Sequence, residues 1–205
     1  MVLDKPAGLP VHAGRAGGPS IEDCFPELSR RRDGPWLAHR LDTDTAGCLV
    51  VALRKTPLIL AQACFAEGRA AKIYWAVVTG EPPAESGEID RPLAKHTTRD
   101  GWHMHADPAG QPARTGWRVL GRAPGLAWLE LRLHTGRTHQ ARVHCALLGC
   151  PIQGDAIYGA RGGDGEPLNL LSRSITLPLD PPVTATAPPP PHMRAALLTC
   201  GWLVG

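Results

Sequence analysis

The sequence predicts an α+β fold built on a largely antiparallel, mixed β-sheet that is flanked by helices and loops. Many short runs have the composition of strands, the connections between them are mixed, and only a few segments carry helix start and stop signals. The 205 residues are enough for one domain with a sizeable core, and no internal repeat is visible. We therefore expect a single domain over residues 1–205, with two very small domains as the alternative.

Strands are predicted where short runs are rich in apolar, β-branched and aromatic residues. The longer runs lie at residues 47–53, 72–79, 113–121, 126–134 and 168–177. The third and fourth should form a hairpin around Ala123-Pro124-Gly125. The polar, turn-rich stretch 80–112 should hold two further short strands, whereas residues 1–35 are rich in Gly and Pro and indicate loops and turns.

Helices are predicted from their end signals, over residues 56–67, about 138–148 and about 192–199. In the first, Thr56 is the expected N-cap, Pro57 takes the first helical position and Gly68 ends the helix. The tract 181–191 has two interpretations. It is either a flexible linker or a short edge strand at 183–187 followed by a rigid proline turn.

The composition excludes some classes of protein. The net charge is +3, and the positive charge is nearly all Arg, whose guanidinium binds phosphates and stacks on bases. A GC-rich genome would explain the Arg excess equally well. The N-terminal segment has no signal-peptide pattern, and no apolar stretch is long enough to span a membrane. These features predict a cytoplasmic protein that is not associated with a membrane.

Six cysteines occur without any CxxC pair or zinc-ligand spacing, and without a signal peptide no disulfides are expected. Two His and two Cys lie close together in the sequence, at His139, His144, Cys145 and Cys150. A metal site there is a weak hypothesis, because an isolated Cys is more often a small buried apolar residue.

Three segments are candidates for chemistry. Residues 39–47 form a dense polar cluster that leads into a buried strand, where a loop on a rigid scaffold can carry a site. Residues 135–144 form a Gly-containing turn and a helix start with two Arg and two His, which suits an anion. The third is Lys72-Ile73-Tyr74, in a predicted strand. The alternatives are a hydrogen-bonded turn, a solvated basic helix face and a core Tyr, respectively.

Taken together, these segments resemble the RluA-type pseudouridine synthase family. The resembling motifs are Asp4-Lys5-Pro6-Ala7-Gly8-Leu9, His39-Arg40-Leu41-Asp42 with Thr45 and Gly47, Lys72-Ile73-Tyr74, Gly136-Arg137-Thr138-His139-Gln140 with Arg142 and His144, and Gly154-Asp155 with Tyr158-Gly159. Their order and spacing make the resemblance specific. Ala46 stands where the family has Ser, and Ala141 where it has Ile or Leu. The small N-terminal RNA-binding domain of some members is absent from the printed sequence.

The resemblance implies the pseudouridine synthase fold and a reaction that detaches uracil from its ribose and rejoins it through carbon 5. It implies Asp42 as the catalytic carboxylate, attacking the anomeric carbon, stabilising positive charge there, or attacking the base. Arg142 would pair with this carboxylate and keep it charged. Tyr74 would stack on the target base. No cofactor and no metal are required, because nothing is oxidised and no group is imported.

The resemblance also implies an RNA partner, ribosomal or transfer RNA, and a target uridine that is flipped out of its stack. Arg40 would fill the vacated space. The remaining expected RNA contacts are His39, Lys72, Arg137 and His139. The run Arg30 to Arg32 would follow the RNA backbone or form a solvated loop.

Two other functions remain open at this point. One is a non-catalytic RNA-binding relative on the same fold, although such a protein has no need of a paired carboxylate. The other is a nucleoside hydrolase, which would release uracil from free uridine, whereas a synthase should need a polynucleotide. The expected assembly is a monomer without an obligate protein partner.

Overall fold

The computed structural model describes residues 1–14, 17–30, 33–99, 101–159 and 165–203. Contacts between Cα atoms divide the chain into two compact units. The first unit comprises residues 1–72 and 171–190, and the second comprises residues 73–170 and 191–205. A single domain over 1–205 therefore stays a prediction. Arg31 and Arg32, part of the run proposed to follow RNA, lie outside the described residues.

Strands and short helices alternate irregularly along the chain, as expected for an α+β fold. The strands are β1 (Val2–Lys5), β2 (Trp36–Leu37), β3 (Ala46–Ala52), β4 (Ala71–Thr79), β5 (Ser86–Asp90), β6 (Leu93–Thr98), β7 (Gly101–Ala106), β8 (Arg114–Ala123), β9 (Leu126–Leu133), β10 (Leu170–Leu177) and β11 (Val183–Thr186). The helices are α1 (Phe25–Leu28), α2 (Lys55–Ala66), α3 (Gln140–Leu147) and α4 (Pro191–Thr199). None of these helices is both long and apolar enough to cross a membrane.

The first unit is organised around β3, all seven residues of which are buried. Burial on both faces explains why its sequence is an unbroken apolar run rather than an alternating one. β1 and β2 pair with β3 antiparallel, β10 pairs with it parallel, and β11 pairs antiparallel with β10. Gly47 has a φ of 104°, and a Cβ atom there would collide with the Ser172 carbonyl oxygen. Only Gly therefore permits this close approach of β10.

The second unit contains an antiparallel set of strands in the order β4, β9, β8 and β5, together with the separate hairpin β6–β7. β8 and β9 are joined at Pro124-Gly125, the predicted turn, and Gly125 has the positive φ that such a turn favours. Helix α3 packs on the hairpin through Val143, which lies in one apolar cluster with Leu93 and Met104.

Most predicted elements are confirmed, and the shifted starts of two helices have a local physical reason. α2 begins at Lys55 with Arg54 as its N-cap, so Pro57 is in the first turn, where a missing N–H costs no helical hydrogen bond. α3 begins at Gln140, not near Thr138, because His139 has a left-handed backbone conformation. The stretch 80–112 holds three strands instead of two, and β1 lies in a stretch predicted as loop. The edge-strand interpretation of 183–187 is confirmed by β11.

Candidate active site

Asp42 lies on the turn between β2 and β3 in the first unit and is partly exposed. The turn is closed by a hydrogen bond from the Thr45 N–H to the Asp42 carbonyl oxygen, 3.1 Å long. Leu41 and Thr45 are buried on either side, whereas Arg40 and Asp44 are exposed. The buried neighbours anchor the turn, so the Asp42 carboxylate is presented from a fixed backbone.

Lys5 anchors this turn through hydrogen bonds, a role that was not predicted from the sequence. Its side chain is fully buried, and its ammonium donates hydrogen bonds to the carbonyl oxygens of Pro6, Leu9 and Thr43 at 2.7–2.8 Å. The Thr43 carbonyl also accepts the Gly8 N–H at 3.0 Å. Burial lowers the pKa of Lys5 to about 8, and the Asp44 and Asp42 carboxylates oppose that shift.

Lys5→Met is expected to lower the free energy of unfolding by about 2–4 kcal/mol, because three carbonyl oxygens lose their donor inside the protein. Turnover should fall as well, since Thr43 adjoins Asp42. Urea unfolding measures the first effect. Lys55→Met is the matched control, because Lys55 is an exposed Lys at the start of α2. An equal, small effect for both variants would contradict the role of Lys5.

His39 has a structural contact, although the sequence analysis predicted an RNA contact. Its Nε2 accepts the Val50 N–H at 2.9 Å, and its ring packs on Phe65 with 4.6 Å between centroids. Burial lowers the pKa of His39 to about 4; a backbone hydrogen bond at Arg40 opposes the shift and the Lys72 charge adds to it. A neutral imidazole fits the geometry, because only an unprotonated Nε2 can accept that bond. The RNA contact stays a prediction.

The lowered pKa of His39 should make the protein less stable in mild acid. Unfolded His39 takes up a proton near pH 6.5, whereas the folded side chain does so only near pH 4. Its contribution is therefore fully present above the unfolded value and is lost as the pH falls towards the folded one. The free energy of unfolding should drop by about 2 kcal/mol from pH 7 to pH 5 from this group. Urea unfolding of His39→Gln should show a flatter profile; an unchanged profile would contradict the assignment.

Lys72 and Tyr74 are both on β4, and each is 9% exposed. Tyr74 lies opposite Leu131 of β9, so its backbone is fixed by the antiparallel strands of the second unit. Lys72 offers little exposed surface to RNA, and its RNA contact stays a prediction. Tyr74 keeps the combination of a buried ring and a polar tip that a base-stacking residue needs.

Arg142 on α3 forms a buried salt bridge with Asp155, which the sequence analysis did not foresee. Nε and Nη2 of Arg142 donate to the two Asp155 oxygens at 2.8 and 2.7 Å, and the Asp155 side chain is fully buried. Asp155 Oδ1 also accepts the N–H groups of Ile157 and Tyr158, both at 2.9 Å. Burial favours a raised pKa for Asp155, but the bonds from Arg142, Tyr158 and Ile157 outweigh it and lower that pKa. The pairing of Arg142 with Asp42 stays a prediction.

The other polar residues near α3 are engaged within the protein. Gln140 is buried and bonds to Thr135, the Arg137 N–H, Thr115 and the Arg114 carbonyl. The Arg137 Nε donates to the Pro112 carbonyl at 3.0 Å, and Arg137 is partly exposed.

The residues of the hypothetical metal site, His139, His144, Cys145 and Cys150, are poorly suited to bind a metal. Both ring nitrogens of His144 are within hydrogen-bond distance of protein oxygens, at Thr115 and Arg91. Burial raises the pKa of the Cys145 and Cys150 thiols, which disfavours the thiolates that bind metals. Within the described ranges, no group of three or more His, Cys, Asp or Glu has the arrangement of a metal site.

Comparison with known proteins agrees with the resemblance drawn from the motifs. A sequence model of the RNA pseudouridylate synthase family matches residues 1–147. An uncharacterized RNA pseudouridine synthase of Zymomonas mobilis is 39% identical over 196 residues, covering 93% of this chain and 90% of that protein. Ribosomal large subunit pseudouridine synthase D of Yersinia pestis is 39% identical over 173 residues, covering 78% of this chain and 50% of that protein.

Solved structures with a similar fold belong to the same group of proteins. The solved structure of human RNA pseudouridylate synthase domain containing 4 has a TM-score of 0.80 and 28% identity, covering 97% of this chain and 88% of that one. A second human protein, RNA pseudouridylate synthase domain containing 1, gives a TM-score of 0.77 at 28% identity. The chain therefore belongs to the RluA-type RNA pseudouridylate synthase family, whose members are isomerases that convert uridine in RNA to pseudouridine.

Proposed function

We propose that this protein isomerises specific uridines of large-subunit ribosomal RNA, with Asp42 as the catalytic carboxylate. The observation that carries the proposal is the Asp42 turn, where a partly exposed carboxylate follows His39-Arg40-Leu41 on a backbone fixed by buried neighbours. The choice of RNA rests on similarity to enzymes named for the ribosomal large subunit, of which the chain covers about half the length. With this substrate, we propose a cytoplasmic location.

The chemistry needs one carboxylate and no external reagent. The N1–C1′ bond of uridine breaks, the uracil rotates, and a C5–C1′ bond forms while the C5 proton is released and N1 gains one. An ionised Asp42 stabilises the positive charge at C1′, or forms a transient bond to sugar or base, and it is regenerated at the end. Water must be excluded during the step, because it would trap the detached sugar.

Tyr74 and Arg142 complete the proposed catalytic set. Tyr74 would hold the detached base by stacking, which allows rotation but prevents loss, and β4 gives its ring a fixed position. Arg142 would keep the catalytic carboxylate charged. Its guanidinium is already held along one edge by Asp155, so its position does not depend on the substrate.

Four predicted RNA contacts are exposed or partly exposed, namely His39, Arg40, Arg137 and His139. Because His39 is engaged with the Val50 N–H and the Phe65 ring, the other three are the stronger candidates. Arg40 adjoins the catalytic turn and is exposed, so its guanidinium can enter the space left by a flipped uridine. The arrangement is expected to act as a monomer, without an obligate protein partner.

The test uses the purified protein with RNA labelled with tritium at uridine carbon 5, because isomerisation releases that tritium to water. Large-subunit ribosomal RNA should release tritium, and transfer RNA and free uridine should not. Mapping of pseudouridines in a strain that lacks the gene should show the same site unmodified. Release of tritium from transfer RNA alone would mean that the substrate is transfer RNA and not ribosomal RNA. RNA binding without any release would indicate a non-catalytic relative, and uracil released from free uridine would indicate a hydrolase.

Arg40→Ala should slow the reaction by about tenfold on a structured stem-loop and by less than about threefold on an unstructured strand with the same target uridine. The reason is that flipping costs a few kcal/mol in a stacked helix and less when the base is unpaired. Single-turnover rates on both RNAs provide the measurement, with Arg54→Ala as the exposed-Arg control. Equal losses on the two RNAs would exclude a role of Arg40 in flipping.

A further inference from the structure

Tyr158 contacts three separate parts of the second unit, at Met104, His139 and Arg142. Its hydroxyl oxygen accepts the Met104 N–H of β7 at 2.9 Å and lies 2.8 Å from Nδ1 of His139. Its ring lies below the Arg142 guanidinium, with 5.2 Å from the guanidinium carbon to the ring centroid. The proposed reaction does not use Tyr158, so these contacts need a separate explanation.

Arg142 is enclosed by the segment from Asp155 to Tyr158. Asp155 takes the Nε–Nη2 edge of the guanidinium, and the Tyr158 ring covers one of its faces. Both residues belong to one tight turn, because the Tyr158 N–H donates to Asp155 Oδ1. A cation held by a bidentate pair and by an aromatic face has little freedom to rotate.

His139 connects this segment to the β6–β7 hairpin. It has a φ of 53°, the only positive φ of a non-Gly residue in the described parts of the chain. Such a conformation persists when contacts on several sides fix it. Its ring stacks on Trp102 at 5.1 Å with 23° between planes, and its Nδ1 faces the Tyr158 hydroxyl. His139 immediately precedes α3 and is three residues before Arg142, so its conformation sets where the helix begins.

Resting on the proposed role of Arg142, we propose that Tyr158 is a positioning residue that fixes the Arg142 guanidinium for catalysis. Its ring restrains the guanidinium directly. Its hydroxyl restrains the start of α3 through His139 and ties both to the β6–β7 hairpin through the Met104 N–H. Trp102 is 42% exposed and forms the outer end of this chain of contacts, with the Lys95 ammonium 4.7 Å from its ring centroid.

Two substitutions separate the ring from the hydroxyl. Tyr158→Phe removes both hydroxyl contacts and keeps the ring, and Tyr158→Leu removes the ring as well. We expect the single-turnover rate to fall by about threefold for Phe and by about thirtyfold or more for Leu, because a displaced catalytic group costs rate. RNA affinity should fall by a smaller factor than the rate, since Tyr158 would affect RNA only through His139, whose ring still stacks on Trp102. Met104→Ala is the control for loosened local packing, because Met104 is part of the same apolar cluster.

Two comparisons make the test specific to Arg142. Because Tyr158 acts through Arg142, adding Tyr158→Phe to Arg142→Lys should slow the reaction no further. The proposal is overturned by a wild-type rate for Tyr158→Leu, by a loss equal to that of Met104→Ala, by a loss of RNA affinity in place of rate, or by full additivity with Arg142→Lys. Wild-type turnover for Arg142→Lys would instead remove Arg142 from the proposed function, and the role of Tyr158 with it. If Tyr158→Leu does not fold, the Phe variant and its double variant decide.

Discussion

Asp42→Asn should abolish most turnover while RNA binding survives. The substitution keeps the size of the side chain and much of its hydrogen bonding, but it removes the charge on which the proposed chemistry depends. We expect the rate of tritium release to fall by about three orders of magnitude or more, as for the loss of other catalytic carboxylates. The dissociation constant of the RNA should change little, because one neutralised carboxylate does not weaken phosphate contacts.

The neighbouring Asp44 provides a matched control for this experiment. It lies on the same turn, two residues further on, and is exposed. Asp44→Asn removes the same charge at nearly the same place, so any general electrostatic effect on RNA or on Lys5 appears in both variants. Substantial turnover in Asp42→Asn, or an equal loss in Asp44→Asn, would exclude Asp42 as the catalytic carboxylate.

Arg142→Ala should have the largest effect on stability among the substitutions considered. The family resemblance implied Asp42 as the partner of this Arg. The structure adds Asp155, whose side chain is fully buried and whose Arg142 partner is 5% exposed. Removal of the guanidinium leaves a buried carboxylate without its cation, which costs about 3–5 kcal/mol at neutral pH. Urea unfolding of the variant measures the cost.

The pH dependence of the free energy of unfolding shows whether the Asp155 carboxylate causes the stability loss of Arg142→Ala. In the wild type, the lowered pKa of Asp155 gives stability that is present above the unfolded value near pH 4 and is lost as the pH falls through the folded one. Without Arg142, burial raises the pKa of Asp155, so the variant recovers part of its deficit by taking up a proton. The deficit should therefore be smaller at pH 5 than at pH 7. Adding Asp155→Asn to Arg142→Ala should also reduce the loss of stability. A loss that is the same at pH 5 and pH 7, and the same with and without Asp155→Asn, would exclude Asp155 as the cause.

The same variants separate stability from catalysis. Arg142→Ala combined with Asp155→Asn removes both partners of the buried pair, which costs less than removing one. If Arg142 acts in catalysis, this double variant should fold and still be slow on an unstructured RNA, where flipping is easy. Recovery of the wild-type rate would mean that Arg142 serves only the fold.

Elements whose signals are local could be predicted from the sequence. The buried strand β3 is an unbroken apolar run, and the β8–β9 hairpin has its turn residues between two strand-like segments. For both, the residues that decide the conformation are within a few positions of each other, so composition and spacing suffice. The motif residues around Asp42 likewise indicated the family, because their order and spacing are themselves the evidence.

Only the tertiary structure decided which partners the buried polar groups have. Lys5 reaches the Thr43 carbonyl, 38 residues away, and Arg142 meets Asp155 across 13 residues. His39 was predicted to contact RNA, yet its Nε2 accepts the Val50 N–H. A side chain that can bind phosphate can equally satisfy a buried carbonyl, carboxylate or amide. The sequence determined which groups are present, and the fold decided which of them meet, because that depends on chain segments brought together by packing of apolar residues elsewhere.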